Sequence, residues 1–291
     1  MDIIAKNWTD YECIDAGDNE KLDRWHNVIL RRPDPTAIWP KTDNTKIWEN
    51  AAGHYHRSSK GGGKWEFKQK VPEYWTVNYK KLTFKVSPTG FKHTGLFPEQ
   101  AANWDYIDEK IKSAKTEQIR ILNLFAYTGG ATMAASAAGA SEVVHVDASK
   151  GMVNWAKENM RLSKLDDNKI RFIVDDVNKF VEREIRRGRT YHGIIMDPPS
   201  YGRGPNNEIW QIEELLYPLI NNVVKLLDDQ ALFFIINSYT TGFSLMALKN
   251  IMRLTISKRF SKGNITTGSI GLPITNRELI LPCGIYGRFE L

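Results

Sequence analysis

From about residue 120 the chain alternates short apolar runs with stretches of helical spacing, and before that point it does not. The apolar runs fall at 120–125, 142–147, 170–174, 193–196 and 232–237, and each has the length of a strand. Between them, residues 132–138, 151–162, 177–187 and 209–227 carry the three-to-four periodicity of amphipathic helices. A further helix is expected at 243–257, followed by a C-terminal strand pair at 278–281 and 285–289. Repeated βα units of this kind predict a parallel sheet covered by helices. The first 90 residues are instead dense in aromatics and turn formers, with alternating strand-like stretches at 75–79 and 82–86 and a flexible loop at 58–63. The pattern predicts a small β-rich N-terminal domain over 1–90, a candidate for substrate recognition, and an α/β domain over 91–291.

Composition narrows the class. With 42% hydrophobic and 25% charged residues the chain reads as an ordinary soluble globular protein. Its longest clean apolar run, 231–236, is far below the roughly 20 residues that span a bilayer, and the start lacks the apolar core of a signal peptide. No membrane association is expected. Two cysteines, Cys13 and Cys283, give neither a disulfide framework nor a spacing for metal ligation, so a cytoplasmic protein without a metal is expected. A net charge of +6 is compatible with a polyanionic partner. Seven of the nine tryptophans lie at or before Trp104, interleaved with Arg31, Arg32, Lys41, Lys46, Arg57, Lys60 and Lys64. Rings and cations together suit a nucleotide-stacking surface, but tryptophans more often build the core of a small β domain, and that reading is the stronger.

In a doubly wound sheet, ligands bind outside the carboxyl ends of the strands, so the residues after each strand carry the information. After the first comes Ala126-Tyr127-Thr128-Gly129-Gly130, where glycines permit close backbone approach and a positive φ, although two glycines before a helix are by themselves commonly just a turn. The second strand ends at Asp147, 17 residues beyond Gly130, a spacing at which a carboxylate accepts hydrogen bonds from ribose hydroxyls; the alternative is a favourable charge at the start of the next helix. His145, inside that strand, is expected to be a packed core histidine. The third strand ends in Asp175-Asp176, where an acidic side chain either accepts an adenine amine or caps the following helix. The fourth ends in Asp197-Pro198-Pro199-Ser200-Tyr201, the most specific feature in the chain. A proline pair cannot extend a central strand, so it makes a rigid turn with carbonyls available to accept hydrogen bonds beside Asp197.

At these residues the chain resembles the class I S-adenosylmethionine-dependent methyltransferases related to bacterial large-subunit ribosomal RNA methyltransferase I. The likeness runs from His93-Thr94-Gly95-Leu96-Phe97-Pro98-Glu99-Gln100 through 123–130, 146–162 and 173–177 to 197–201. The resemblance implies a Rossmann-like seven-stranded methyltransferase sheet whose last strand is reversed, with S-adenosyl-L-methionine as cofactor. It implies Asp147 on the cofactor ribose, Asp176 near its adenine, and Tyr127, Thr128 and Gly129 against its amino-acid part, with Gln100, Phe125 and Ser149 also on the cofactor side. Asp197, Pro198 and Pro199 face both the sulfonium and the substrate, and Tyr201 stacks on the acceptor. RNA, ribosomal in the first instance, is the implied partner; oligomeric state is open.

Two departures sharpen the chemistry. Family members carry an Arg after the Gln, whereas Gln100 is followed by Ala101 and Ala102. The cytosine-5 enzymes of the family use a cysteine thiolate just past the fifth strand, and here residues 235–240 read Ile-Ile-Asn-Ser-Tyr-Thr. Direct transfer to a base nitrogen is therefore expected, with Asn237 able to hydrogen-bond a base edge, and the N7-guanine enzymes, which share the Asp-Pro-Pro turn and a following aromatic, are the closer mechanistic parallel. The alternatives are cytosine-5 methylation and a non-catalytic RNA-binding protein that retains the fold. The loop 202–206 is expected to close over substrate with Arg203 meeting a phosphate. The basic stretches at Arg183, Arg186, Arg187 and Arg189 and at Lys249, Arg253, Lys258, Arg259 and Lys262 are weaker candidates to track RNA backbone than to form a solvated face.

Overall fold

The computed structural model describes residues 1–58 and 62–291, with Thr45 described by its backbone alone; of the loop expected at 58–63, residues 59–61 lie outside the described residues. The chain forms two compact units, one of residues 1–2, 103–269 and 284–291 and the other of residues 3–102 and 270–283. The boundary expected at residue 90 thus falls inside the second unit, which also takes the tip of the C-terminal hairpin. A strand's own periodicity does not say which neighbour it will pair with, so this return was hidden in the sequence.

Seven neighbouring strands lie in the order Ile170–Val174, Glu142–Asp147, Arg120–Leu124, Gly193–Met196, Phe233–Ser238, Leu279–Glu290 and Asn264–Ile274, the first five wholly within the larger unit and the last two only in part. The first five are mutually parallel, and Leu279–Glu290 runs antiparallel to Phe233–Ser238. This is the expected seven-stranded sheet with a reversed last strand. Side-chain alternation sends Leu122, Leu124, Val144, Val146, Ile194, Met196, Phe234 and Ile236 into one core and Ile121, Val143, Ile195, Phe233 and Ile235 into another. The first core is closed by helices Val177–Arg186, Ile212–Val223 and Leu245–Ile256, the second by Ala101–Ser113 and Gly130–Ala137. Burial of both faces is why the strand sequences read as continuous apolar runs.

Two elements differ from expectation. The helix expected at 209–227 starts at Ile212 and ends at Val223. The residues before it, Ile209–Gln211, instead pair antiparallel with Tyr201–Arg203, so the expected glycine loop at 202–206 is partly a hairpin. Trp210 is buried between exposed Ile209 and Gln211, a period of two that is lost by eye against the helical pattern that follows. The strands expected at 278–281 and 285–289 are one continuous strand, and its partner Asn264–Ile274 covers a threonine- and glycine-rich stretch that carries a turn-like composition.

In the smaller unit, Tyr11–Gly17, Glu20–Trp25 and Val28–Pro33 form an antiparallel meander, Gly53–Arg57 joins the last of these in parallel, and Gly63–Phe67 pairs antiparallel with Gly53–Arg57. The expected strands Trp75–Tyr79 and Leu82–Val86 form a hairpin. Its tryptophans are structural. Trp25 and Trp48 are buried, and Trp8, Trp39, Trp65 and Trp75 donate their indole N–H to the carbonyls of Pro98, Ala16, Thr89 and Trp25 at 2.7–3.0 Å. Among the described residues no helix is long and apolar enough to cross a membrane.

The basic stretch at 183–189 serves the fold. Arg183 pairs with Asp175, Arg187 with Glu184 at 2.9 Å, and Arg189 with Glu142 at 2.8 Å; Arg259 donates to the carbonyls of Val224 and Lys225. Glu142, buried at the amino end of its strand, also faces Lys169 at 3.5 Å and Arg171 at 3.7 Å. Burial alone would raise its carboxyl pKa, but Arg189, Lys169 and Arg171 outweigh it and hold the group below its ordinary 4.5. A depressed carboxyl stabilises the fold above its unfolded pKa and loses that contribution as pH falls through the folded value. Glu142→Gln is therefore expected to cost about 1–3 kcal/mol at neutral pH, because three cations lose their partner. The difference from the parent protein in denaturant titrations should shrink once the pH drops below 4.5.

Candidate functional site

Register brings the carboxyl ends of five strands level. Leu124 pairs with both Val146 and Met196, Met196 with Ile236, and Asp147 with Val174. The first strand has the second on one side and the fourth on the other, so the chain's direction of travel across the sheet reverses there. A crevice opens at such a switch point.

The turn after the first strand is backbone under strain. Phe125, Tyr127 and Gly129 have φ of 54°, 50° and 85°. Glycine takes this conformation freely, whereas two bulky aromatic residues in it cost about 1–3 kcal/mol each. Surrounding groups hold the turn in place. Ala126 N–H donates to the Val146 carbonyl at 3.0 Å, Gly129 N–H to the Ala126 carbonyl at 2.9 Å, and Tyr127 N–H to Asp147 Oδ2 at 2.8 Å. From the neighbouring helix Lys150–Leu162, buried Asn159 donates its amide N–H to the Thr128 carbonyl at 2.9 Å. A Cβ on Gly130 would lie 2.6 Å from the buried Trp104 ring, so the helix can start there only with glycine.

Asp147 is the carboxylate of this turn. Its Oδ2 takes Tyr127 N–H and its Oδ1 takes Ser149 N–H, each at 2.8 Å. An ionised carboxylate offers about four lone-pair positions, so these two bonds leave acceptor capacity for a ligand diol. Burial raises its pKa above the ordinary 3.8, opposed by the two backbone N–H groups. Ser149, expected beside the cofactor, caps the following helix by accepting Met152 N–H at 3.4 Å. Beneath the turn, fully buried His145 meets Thr132 Oγ1 at 2.9 Å, and Thr132 Oγ1 accepts from Asn123 Nδ2 at 2.9 Å. Burial lowers the His145 pKa to about 3, so it is neutral, and a Cβ on Gly129 would lie 3.5 Å from its ring. The expectation of a packed core histidine holds, and that histidine is part of the floor of the turn.

The third strand end divides its two carboxylates. Asp176 caps helix Val177–Arg186 by accepting Lys179 N–H at 3.0 Å, the second of the two readings open for it, and Asp175 pairs with Arg183. At the fourth, Asp197 is half-buried, Pro198 buried and Pro199 exposed. The proline carbonyls are not all available as expected, since Pro199 accepts Trp210 Nε1–H at 2.5 Å. The Trp210 ring also packs on Phe125, with centroids 5.1 Å apart, and so ties the Asp-Pro-Pro turn to the strained turn. Ser200 bonds Thr240 at 2.7 Å across to the fifth strand's exit, and Tyr201 is 53% exposed. Asn237, expected to hydrogen-bond a base edge, is buried, and its Oδ1 accepts from Asn103 Nδ2 at 2.9 Å, while Asn103 Oδ1 accepts from Arg288 at 2.7 Å.

Gln100 lies in the other compact unit, at the end of the 3₁₀ turn Pro98–Gln100 with its N–H on the Phe97 carbonyl. Both cysteines are in that unit too, and burial pushes both thiols above their ordinary pKa of 9.0. Asn159, Thr132, Asn103 and Trp210 were missed as contributors. Their only signals were an Asn at the end of a helix pattern and one of the two tryptophans beyond Trp104, neither of which points to a partner without the fold.

The chain is similar in sequence and fold to known methyltransferases. The chain matches the S-adenosylmethionine-dependent methyltransferase family over residues 51–262. The crystal structure of an S-adenosylmethionine-dependent methyltransferase from Agrobacterium tumefaciens is 32% identical, with a TM-score of 0.94 over 100% of this chain and 93% of that one. A methyltransferase solved with S-adenosylhomocysteine has the same fold, with a TM-score of 0.74 at 18% identity over 98% of this chain and 76% of that one. Among curated relatives, ribosomal RNA large subunit methyltransferase K/L of Shewanella frigidimarina is 29% identical over 70% of this chain and 27% of its own length. Methyltransferase K of Neisseria meningitidis is 26% identical over 76% of this chain and 64% of its own length. The chain thus spans about a quarter of the K/L relative and somewhat under two thirds of the K relative. The match over residues 51–262 and the strand-edge geometry agree: the chain belongs to the S-adenosylmethionine-dependent methyltransferase family.

Proposed function

We propose that this protein methylates RNA, with ribosomal RNA as the favoured substrate, by direct transfer from S-adenosyl-L-methionine to a base nitrogen in the cytoplasm. The observation that carries the reading is the Asp197-Pro198-Pro199 turn, braced through Trp210 against the strained turn at Phe125 and lacking any thiol at the exit of the neighbouring strand. The names of the ribosomal RNA methyltransferase relatives support the substrate class.

The cofactor supplies a methyl group already activated as a sulfonium, so the protein's task is mostly positioning. Asp147 binds the ribose hydroxyls with the lone pairs left by Tyr127 and Ser149. Tyr127, Thr128 and Gly129 line the amino-acid part, while Phe125 shapes the turn. Asp176 meets the adenine with the acceptor capacity its capping bond leaves. Asp197 and the Pro198 carbonyl orient the planar acceptor so that its lone pair points at the methyl carbon, and exposed Tyr201 stacks on the base. The β-rich unit contributes substrate recognition. Cytosine-5 chemistry is disfavoured because it needs a thiolate, and Cys13 and Cys283 are held protonated by burial outside the methyltransferase unit.

Mass spectrometry of ribosomal RNA from cells with and without the gene tests the substrate: one missing base methylation is expected, and an unchanged profile would sink the ribosomal reading. Asp147→Ala should weaken binding of S-adenosylmethionine in calorimetry by at least about tenfold, since it removes a charged acceptor and leaves two N–H groups unpaired. In the parent protein the same affinity should decline on acidification through the Asp147 pKa, which is above 3.8, because the protonated carboxyl loses acceptor capacity. Cys13→Ala and Cys283→Ser should keep methyl transfer and form no covalent adduct with fluorocytosine-containing RNA. An adduct in the parent that vanishes in either variant would restore the cytosine mechanism.

A further inference from the structure

The edge hairpin of the β-rich unit carries a group of side chains that methyl transfer does not use. His54 and His56 lie two apart on Gly53–Arg57 and so present their imidazoles on the same face. Glu66 on Gly63–Phe67 is the direct cross-strand partner of His54 and adds a carboxylate there. One ligand atom from each of the three lies within 4.8 Å of the other two. The imidazole centroids are 3.9 Å apart, and each ring takes a carboxylate: His56 Nε2 meets Glu66 at 2.7 Å, and His54 Nε2 meets Glu20 at 2.9 Å.

We propose that His54, His56 and Glu66 bind a zinc ion, with water as the fourth ligand. Zinc holds imidazole nitrogen and carboxylate oxygen at about 2.0–2.2 Å in a tetrahedron, which sets neighbouring ligand atoms roughly 3.4 Å apart. With the ligand atoms already within 4.8 Å of one another, the closure required is small compared with the reach of two imidazoles and a glutamate side chain. Two imidazoles and one carboxylate select zinc over magnesium or calcium, which want oxygen ligands throughout. Glu20 plays the outer role common at such sites: accepting a hydrogen bond from His54 Nε2–H, it fixes the tautomer and leaves the other nitrogen for the metal. Glu20 is itself held by Arg31 at 2.6 Å and Lys41 at 2.5 Å. Those two cations neutralise Glu20, so Glu66 is the ligand that brings negative charge, and Arg31, the parallel cross-strand partner of His54, keeps affinity below that of a thiolate site. The absence of suitable cysteine spacing says nothing against it, because these ligands converge through strand pairing. A bound ion would fasten the two strands of the hairpin to each other, independently of the methyltransferase reading.

Calorimetric titration of the protein, stripped with chelator, is the test, using zinc chloride and then magnesium chloride. One equivalent of zinc and no magnesium should bind. His56→Ala and Glu66→Gln should each weaken zinc by at least about tenfold, the lower end of what even an outer-sphere loss costs. His26→Ala, on a different turn, should leave it unchanged. Cobalt(II) should give the visible bands of a tetrahedral nitrogen-ligated ion, lost in His54→Ala, and circular dichroism of the variants separates ligand loss from unfolding. No zinc heat, equal heats for zinc and magnesium, or zinc binding that persists in a folded His54→Ala/His56→Ala protein would each overturn the assignment.

Discussion

The carboxylate of Asp147 is the interaction on which the rest of the site depends. By accepting one N–H from Tyr127 and another from Ser149, it joins the turn after the first strand to the start of the helix after the second. The turn needs that restraint because two of its aromatic residues sit in a left-handed conformation that an isolated chain would avoid. Asn159 pins the same turn from its other side. Asp147 stands at the end of the strand beside the switch point, and its two bonds leave acceptor capacity on a side chain that also builds the loop. Its partial burial makes the charge costly and its hydrogen bonds correspondingly strong.

The rest of the unit keeps this edge level and rigid. Both faces of the sheet are buried, which fixes strand register and brings Asp147, Asp176 and Asp197 to one side. Trp210 couples the first and fourth strand ends with a ring contact and a hydrogen bond. At the fifth, Asn237 and Asn103 are buried and bonded to each other, and Asn103 Oδ1 also accepts from half-buried Arg288, which ties that strand end to its neighbours. Ion pairing disposes of much of the basic character between Arg183 and Arg189: Glu142, Glu184 and Asp175 consume it at the helix surface and the sheet's far edge.

In the β-rich unit the tryptophans are core and buttress, the stronger of the two readings open for them. Their indole N–H groups end on backbone carbonyls, which a small sheet with wide loops must satisfy somewhere. The exposed aromatics there are different residues, Phe67, Tyr74 and Phe91.

The sequence by itself determined the parallel sheet, its strand positions and the acidic residues at strand ends, because strands buried on both faces must be apolar throughout and a proline pair must stop one. The resemblance carried by those same residues pointed to the cofactor. What only tertiary structure decided was how each polar group is spent. Asp176 and Ser149 cap helices, Asn237 bonds Asn103, and Trp210 joins two turns from a hairpin that read as helix. The return of residues 270–283 to the β-rich unit belongs to the same class. Periodicity reports which face of an element is buried. The partner of a donor or acceptor far away in sequence is set by register and packing, which exist only once the chain has folded.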